Sequence, residues 1–388
     1  MMVVYTRKLT PPKRSFFLFG PRGTGKTTWL KQVFPTALYI NLLNSRTHFH
    51  YLRDPHKLFE EVEALSGKKW VVLDEIQRLP ELLNEVHSLM NEHGSRYRFA
   101  LTGSSARKLK RTDVNLLAGR AINRSFFPLV AAELNYDVEV EDILKFGNLP
   151  EVRAASSKKD KIDILEAYCA NYLREEIQQE AIVKRLDSFV RFLEVSAIMN
   201  GQILNVANVA RDAGVQRPTV QGYFQVLEDT LIGVRVPAWR KRIKVKEVSH
   251  PKFYLFDSGV VRALSYRLRE PTLDALEKGF LLETWVLHEL RAWMGIHEMG
   301  GQWHHWGTPQ ASEVDFIMTG AGKSAGIEVK AKGEWKREYG KKLEEMIEAG
   351  QIKQGFGVYL GSREMKVGKI HVYPILGFCR RLEKGHFF

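Results

Sequence analysis

"FFLFGPRGTGKTTWL", residues 16–30, sets a short apolar run against a loop of glycines, threonines and one lysine. Gly20, Gly25, Lys26 and Thr27 meet the spacing G-x-x-x-x-G-K-[ST]. The aromatic run before the loop reads as a buried strand, and "TTWLKQVF" continues as a helix. Gly20, Gly23 and Gly25 let the chain take positive φ angles and turn its amide N–H groups inward. The result is a concave nest for phosphate oxygens along Gly20, Pro21, Arg22, Gly23, Thr24, Gly25, Lys26, Thr27 and Thr28. Lys26 can reach the β and γ phosphates, Thr27 can offer its hydroxyl to Mg²⁺, and the helix adds the positive end of its dipole. The alternative is an ordinary glycine-rich turn ahead of a helix; the strand before and the helix after favour nucleotide.

A chain of 388 residues is too long for one ordinary core and predicts roughly two or three domains. A hydrophobic content of 44% excludes a disordered tail. The excess of 58 Lys and Arg over 45 Asp and Glu, a net +13, favours a polyanionic partner such as DNA, the alternative being a merely basic surface. Cys169 and Cys379 are the two cysteines; they lie far apart, without the spacing of a zinc site or a disulfide framework. The N-terminus lacks the apolar core of a signal peptide, and no stretch approaches the length of a membrane span. A soluble, cytoplasmic protein with no membrane partner is expected.

From the loop to about residue 135, apolar strands alternate with helical stretches: "TALYINL", "DPHKLFEEVEAL", "KKWVVLDEIQRLP". Such alternation predicts a parallel sheet with helices on its faces. "WVVLDE" is a buried strand ending in two carboxylates, costly there unless they act on a cation or a water. Asp74 is placed to hold the Mg²⁺ shell and Glu75 to polarise the attacking water; the alternative is a turn or helix cap. The next strand, "YRFALTGSS", brings Thr102, Ser104 and Ser105 to the same sheet edge as Asp74, where they can sense the γ-phosphate. "ARKLKRTDVNLLAGR" then reads as a basic helix running to Arg120. That arginine either completes a neighbouring subunit's site or compensates a helix end.

"GPRGTGKTT", "VVLDEIQRLP", "LTGSSARKLKR" and "LLAGR" resemble the AAA-type ATPases of prokaryotes that carry a C-terminal domain of unknown function, over most of the chain. The resemblance implies ATP hydrolysis with Mg²⁺. Gly20 to Thr28 match the Walker A loop, Asp74 and Glu75 match Walker B, and Thr102 and Ser104 match the sensor position. Arg120 stands where relatives often keep an arginine finger, which would imply a homo-oligomer.

Residues 136–183 hold a turn at "GNLPE" and a charged amphipathic helix closing in "NYLREEI", read as a helical lid or linker. Residues 184–255 give three helices broken at "NGQ" and "DAGVQRP". In the last, Val220, Phe224 and Leu227 form the buried stripe, while Gln216, Arg217, Thr219 and Gln221 form a polar face suited to a major groove. The following hairpin-like run concentrates Arg240, Lys241, Arg242, Lys244 and Lys246. Together these resemble a winged helix-turn-helix whose cations neutralise phosphates; such a module can instead serve protein contacts.

In residues 256–388, "LEKGFLLETWVLHELRAW" reads as a helix carrying Glu283 and Glu289 among large apolar residues. "SEVDFIM" and "AGIEVKAKG" read as neighbouring strands that project Asp315, Glu328 and Lys330. Carboxylates on adjacent strands can hold Mg²⁺ or Mn²⁺ beside a lysine. This constellation resembles the PD-(D/E)xK nuclease core, with Glu283 as the helical acid; a charged solvent face on a hairpin is the alternative. The fold expected is α/β: a P-loop parallel sheet, a winged-helix segment and a restriction-endonuclease-like α/β domain. The function expected is a Mg²⁺-dependent ATPase coupled to DNA binding and, through the nuclease-like end, to DNA cleavage. The competing reading is an ATP-dependent switch acting through protein contacts.

Overall fold

The computed structural model describes residues 3–104, 117, 119–173, 186–239, 250–308, 312–320 and 322–387. The chain divides into two compact units, Met1–Pro128 with Asp229–Leu231, and Leu129–Glu228 with Ile232–Phe388.

In the first unit, β1 (Phe16–Phe19), β2 (Leu38–Asn41), β3 (Lys69–Asp74), β4 (Tyr97–Gly103) and β5 (Ile122–Ser125) form one sheet in the order β2-β3-β4-β1-β5. Every neighbouring pair is parallel. Parallel neighbours need crossovers, supplied by α1 (Lys26–Val33) between β1 and β2, α2 (Ser45–Arg53) and α3 (Lys57–Glu63) between β2 and β3, and α4 (Leu82–His93) between β3 and β4. The central strands read as continuous apolar runs because both faces are covered. Val72 and Ala100 join Phe16, Leu18, Trp29 and Leu30 in one core cluster, while Val71, Leu73, Phe99 and Leu101 enter another with Leu58, Val86 and Leu89. Alternate residues of one strand thus feed separate cores.

The second unit begins with helices Val140–Phe146, Pro150–Ala154 and Lys158–Ala167, the last passing into a π-turn at Tyr168–Leu173. Helices Leu186–Ile198, Val206–Asp212 and Arg217–Asp229 follow, then the antiparallel strands β6 (Gly233–Val236) and β7 (Lys252–Leu255), with Val236 opposite Lys252. After helices Ser258–Leu264 and Ala275–Ile296 come β8 (Gln302–Gly307), β9 (Glu313–Gly320) and β10 (Lys323–Lys330). Helix Arg337–Glu348, β11 (Gln354–Tyr359), β12 (Met365–Val367), β13 (Ile370–Pro374) and helix Ile375–Glu383 complete the unit. The sheet order is β12-β13-β11-β10-β9-β8; β11 lies parallel to both β10 and β13, and the other pairs are antiparallel. One apolar core joins Phe189 and Phe224 of the helical part, Phe253 of β7, Trp285 and Leu290 of the long helix, and Phe316 and Val358 of the sheet. Among the described residues, no helix is long and apolar enough to cross a membrane.

Candidate functional site

At the carboxyl end of β1 the chain turns through Gly20, whose position admits no side chain: a Cβ there would lie 2.2 Å from the Phe126 carbonyl oxygen. Gly23 (φ 75°) and Gly25 (φ 92°) take left-handed conformations and bring the chain into α1. The first turn of α1 carries no acidic residue, so nothing on the helix competes with an anion at its N-terminus. Lys26 is buried, and its Nζ donates to the carbonyls of Gly20 (2.6 Å) and Pro21 (3.0 Å). The Thr24 hydroxyl donates to the Pro21 carbonyl (2.8 Å). Arg7, which the motif does not include, donates to the Thr24 and Phe127 carbonyls (2.7 Å each) and stacks over the Phe126 ring.

β3 ends beside this loop. The Thr27 hydroxyl donates to Asp74 Oδ2 (2.8 Å), the Tyr39 hydroxyl donates to the same oxygen, and the Thr102 hydroxyl donates to Asp74 Oδ1. The Glu75 amide donates to Thr102 Oγ1 (2.9 Å), so β3 and β4 are tied where their acids and hydroxyls meet. Glu75 stands in the left-handed region (φ 64°, ψ 48°), a strained placement for a non-glycine residue and one that concentrates at functional sites. The Gln77 amide donates to Glu75 Oε2 and to the Ser104 hydroxyl (2.9 Å). Burial and the Asp74 carboxylate hold the Tyr39 phenol above the usual tyrosine range, so it stays a donor. The residues present fit a Mg²⁺ ion: Thr27 and Asp74 offer hard oxygens side by side, and the side-chain donors on Asp74 among the described residues are neutral hydroxyls. Ser105 and the segment 106–116 lie outside the described residues; Arg120 is exposed, its amide bonded to the Leu117 carbonyl (3.0 Å).

The second unit brings Glu283, Asp315, Glu328 and Lys330 together, with an addition. Asp315 Oδ2 accepts from the Val329 amide (2.8 Å), Lys330 pairs with Glu328 Oε1, and the Tyr254 hydroxyl donates to Glu283 Oε2 (2.7 Å). Among them sits Lys252 of β7, 3% exposed, its Nζ 3.4 Å from Glu283 Oε2 and 3.7 Å from both Asp315 Oδ1 and Glu313 Oε2. Burial alone would lower the lysine; the carboxylates of Glu283, Asp315 and Glu313 overcome it and hold the ammonium charged above the usual lysine range. Burial pushes Glu283 up to about 7 and Glu328 well above the carboxylate range, against the opposing pull of the Lys252 and Lys330 ammoniums.

An ammonium thus lies where a cation was expected. Among the described residues no group of three or more His, Cys, Asp or Glu side chains is arranged to hold a metal ion. Of the carboxyl oxygens in the cluster, Glu328 Oε2 is the one fully buried without a hydrogen-bond partner. A divalent ion about 4 Å from the Lys252 ammonium would also meet a repulsion of about 8 kcal/mol at an effective dielectric of about 20.

Of the residues expected to read DNA, Arg217, Thr219 and Gln221 are exposed on helix Arg217–Asp229, opposite the buried Val220, Tyr223, Phe224, Val226 and Leu227. Gly214 (φ 67°) makes the turn before it. Arg240, Lys241, Arg242, Lys244 and Lys246 lie outside the described residues.

Sequence signals existed for two of the residues missed. Lys252 opens an otherwise apolar strand, "KFYLF", and Gln77 stands two residues after Glu75. Arg7 and Tyr39 gave none, because their partners are backbone or distant in sequence.

Three stretches of the chain match models of known protein families. Residues 12–135 match the model of an AAA domain, residues 138–271 that of a domain of unknown function, DUF8612, and residues 278–378 that of another, DUF4143. An uncharacterized protein of Mycobacterium tuberculosis is 27% identical over 81% of this chain and 69% of its own length. The proteasome-activating nucleotidase of Methanocaldococcus jannaschii is 25% identical over 62% of this chain and 52% of its own. Among solved structures, the Aeropyrum pernix ORC2 protein in its ADPNP-ADP complexes matches 66% of this chain and 88% of its own, at 12% identity and a TM-score of 0.36. Cdc6p of Pyrobaculum aerophilum matches 66% and 87% at 15% identity and a TM-score of 0.26. The AAA-domain match and the nucleotide loop on its parallel sheet together make residues 12–135 an ATPase-like P-loop domain.

Proposed function

We propose that the chain is a Mg²⁺-dependent ATPase whose nucleotide state governs how the second unit engages DNA. The observation that carries this is the meeting of Lys26 and Thr27 after β1, Asp74 and Glu75 at the end of β3, and Thr102 and Ser104 at the end of β4 at one sheet edge. Lys26 exchanges its loop carbonyls for phosphate oxygens, Thr27 and Asp74 would hold Mg²⁺, and Glu75 polarises the attacking water. When bound, Mg²⁺ neutralises charge on the β and γ phosphates. Thr102 and Ser104, bonded to the acid pair, pass occupancy of the γ-phosphate position to β4. Arg120, exposed, is the residue proposed to complete the site of a second copy. The net +13, the exposed Arg217, Thr219 and Gln221, and the cations at 240–246 support a winged-helix contact with DNA phosphates and base edges.

Turnover and ATP binding test the first part. Glu75→Gln should keep ATP binding and lose turnover by about 10²- to 10⁴-fold, while Lys26→Ala should lose both; full turnover in Glu75→Gln would remove Glu75 as the base. DNA binding measured against salt tests the second. Alanine at Arg240, Lys241, Arg242, Lys244 and Lys246 should flatten the slope of log K by about 0.9 for each phosphate that is no longer neutralised. Affinity indifferent to salt and to these substitutions would favour a switch that acts through protein contacts.

A further inference from the structure

We infer that Lys252 is the resident cation of the acidic cluster on β9 and β10, and that its ammonium keeps a divalent metal out of that cluster in the native chain. Geometry carries the inference. The ammonium lies within 3.7 Å of three carboxylates contributed by two elements, the long helix (Glu283) and β9 (Glu313 and Asp315). It arrives on β7, whose four residues are all buried, and its strand position is fixed by pairing opposite Val236 and by a bridge to Ile203. The strand fixes where the stem of the lysine begins, and the side chain, 3% exposed, lies buried among the carboxylates.

The second lysine reinforces the arrangement. Lys330 pairs with Glu328, and Asp315 Oδ2 is already committed to the Val329 amide. Glu328 Oε1 and Asp315 Oδ2 are therefore engaged by an ammonium and a backbone amide, and Asp315 Oδ1 lies 3.7 Å from the Lys252 ammonium. The cluster acts as an ion network that fastens β7 to the long helix and to the sheet, and metal-dependent phosphodiester cleavage is not carried out there.

Mn²⁺ uptake by the full-length protein, stripped with chelator and free of nucleotide and DNA, tests this by electron paramagnetic resonance of the unbound ion. Failure of the ATPase or DNA reading cannot affect the outcome, since neither ligand is present. Native protein and Asp315→Asn should take up the same amount of Mn²⁺. Lys252→Met, shown to be folded by its circular dichroism and melting, should gain an additional ion per chain. That ion should be lost again in Lys252→Met/Asp315→Asn. A drop in Mn²⁺ uptake on Asp315→Asn in the native background would overturn the inference, as would a folded Lys252→Met that binds no more than the native chain. If Lys252→Met does not fold, the comparison of native with Asp315→Asn still decides.

Discussion

The protein holds two buried acid groups that look alike in sequence and differ in what surrounds them. At the end of β3, Asp74 accepts from the hydroxyls of Thr27, Tyr39 and Thr102, all neutral. On β9 and β10, Asp315 and Glu328 face the ammoniums of Lys252 and Lys330. A neutral donor leaves the negative charge in place, ready for an arriving cation; an ammonium has already met it. The carboxylates alone therefore do not mark a metal site. Their partners decide whether the charge is stored for a ligand or used to hold the fold.

The sharpest way to break this contrast is to remove the internal cation. Lys252→Met nearly conserves volume but leaves Glu283, Asp315 and Glu313 without their shared counter-charge, and breaking a buried pair in this way costs about 3–5 kcal/mol. Urea unfolding of the second unit should show a loss of that size. Lys252→Met/Glu283→Gln should recover part of it, because fewer uncompensated acids remain. A loss near zero in Lys252→Met would mean that the cluster is solvated and that the ammonium is incidental.

A third buried acid, Glu289, has neither a cation nor a hydroxyl bonded to it among the described residues. Its Oε1 accepts from the Ala131 amide (2.8 Å) and the Trp285 indole (3.0 Å), and burial pushes its carboxyl up to about 7. The folded value lies above the ordinary 4.5, so the protonated folded state is favoured. Its stabilisation is present in full below pH 4.5 and is lost as pH rises through about 7, a decline of about 3 kcal/mol. Glu289→Gln should remove that share of the decline, read as the difference between native and variant in urea unfolding at about pH 5 and about pH 8. An unchanged pH dependence would place the charge of Glu289 in contact with solvent.

The same distinction explains how much was legible. β1, the loop and α1 could be read because glycine, lysine and hydroxyl stand at fixed offsets whose geometry is local. Asp74 and Glu75 could be read because an apolar strand rarely ends in two acids without use for them. α2 could not: "SRTHFHYLR" buries only Tyr51, so no apolar period announces a helix that is started instead by the Asn44 side chain accepting from the Thr47 amide. In the second unit, Glu283, Asp315, Glu328 and Lys330 could be picked out individually, because carboxylates on adjacent strands are visible as a pattern. Lys252 stands out in sequence as a lysine on an apolar strand at the tail of a basic ribbon, but its partners lie more than thirty positions onward and nothing local names them. Pattern thus identified the acids, while the identity of their counter-charge was a tertiary fact.

The smallest expected effect tests the other side of the contrast. Tyr39 remains protonated and donates to Asp74 Oδ2 beside Thr27, so in Tyr39→Phe that oxygen keeps one hydroxyl donor of its two. A hydrogen bond of this kind contributes about 1 kcal/mol, more where the acceptor is charged. Turnover should therefore change by less than about tenfold, the rate equivalent of 1.4 kcal/mol. The Mg²⁺ concentration giving half-maximal turnover should fall, because one competitor for Asp74 has gone. Both quantities come from the same titration of ATPase rate against Mg²⁺. A rate loss on the order of 10²-fold with no gain in Mg²⁺ affinity would show Tyr39 to be a fixed support of Asp74 rather than a displaceable donor. The acid at β3 would then be held as firmly by its hydroxyls as the acids at β9 and β10 are by their lysines.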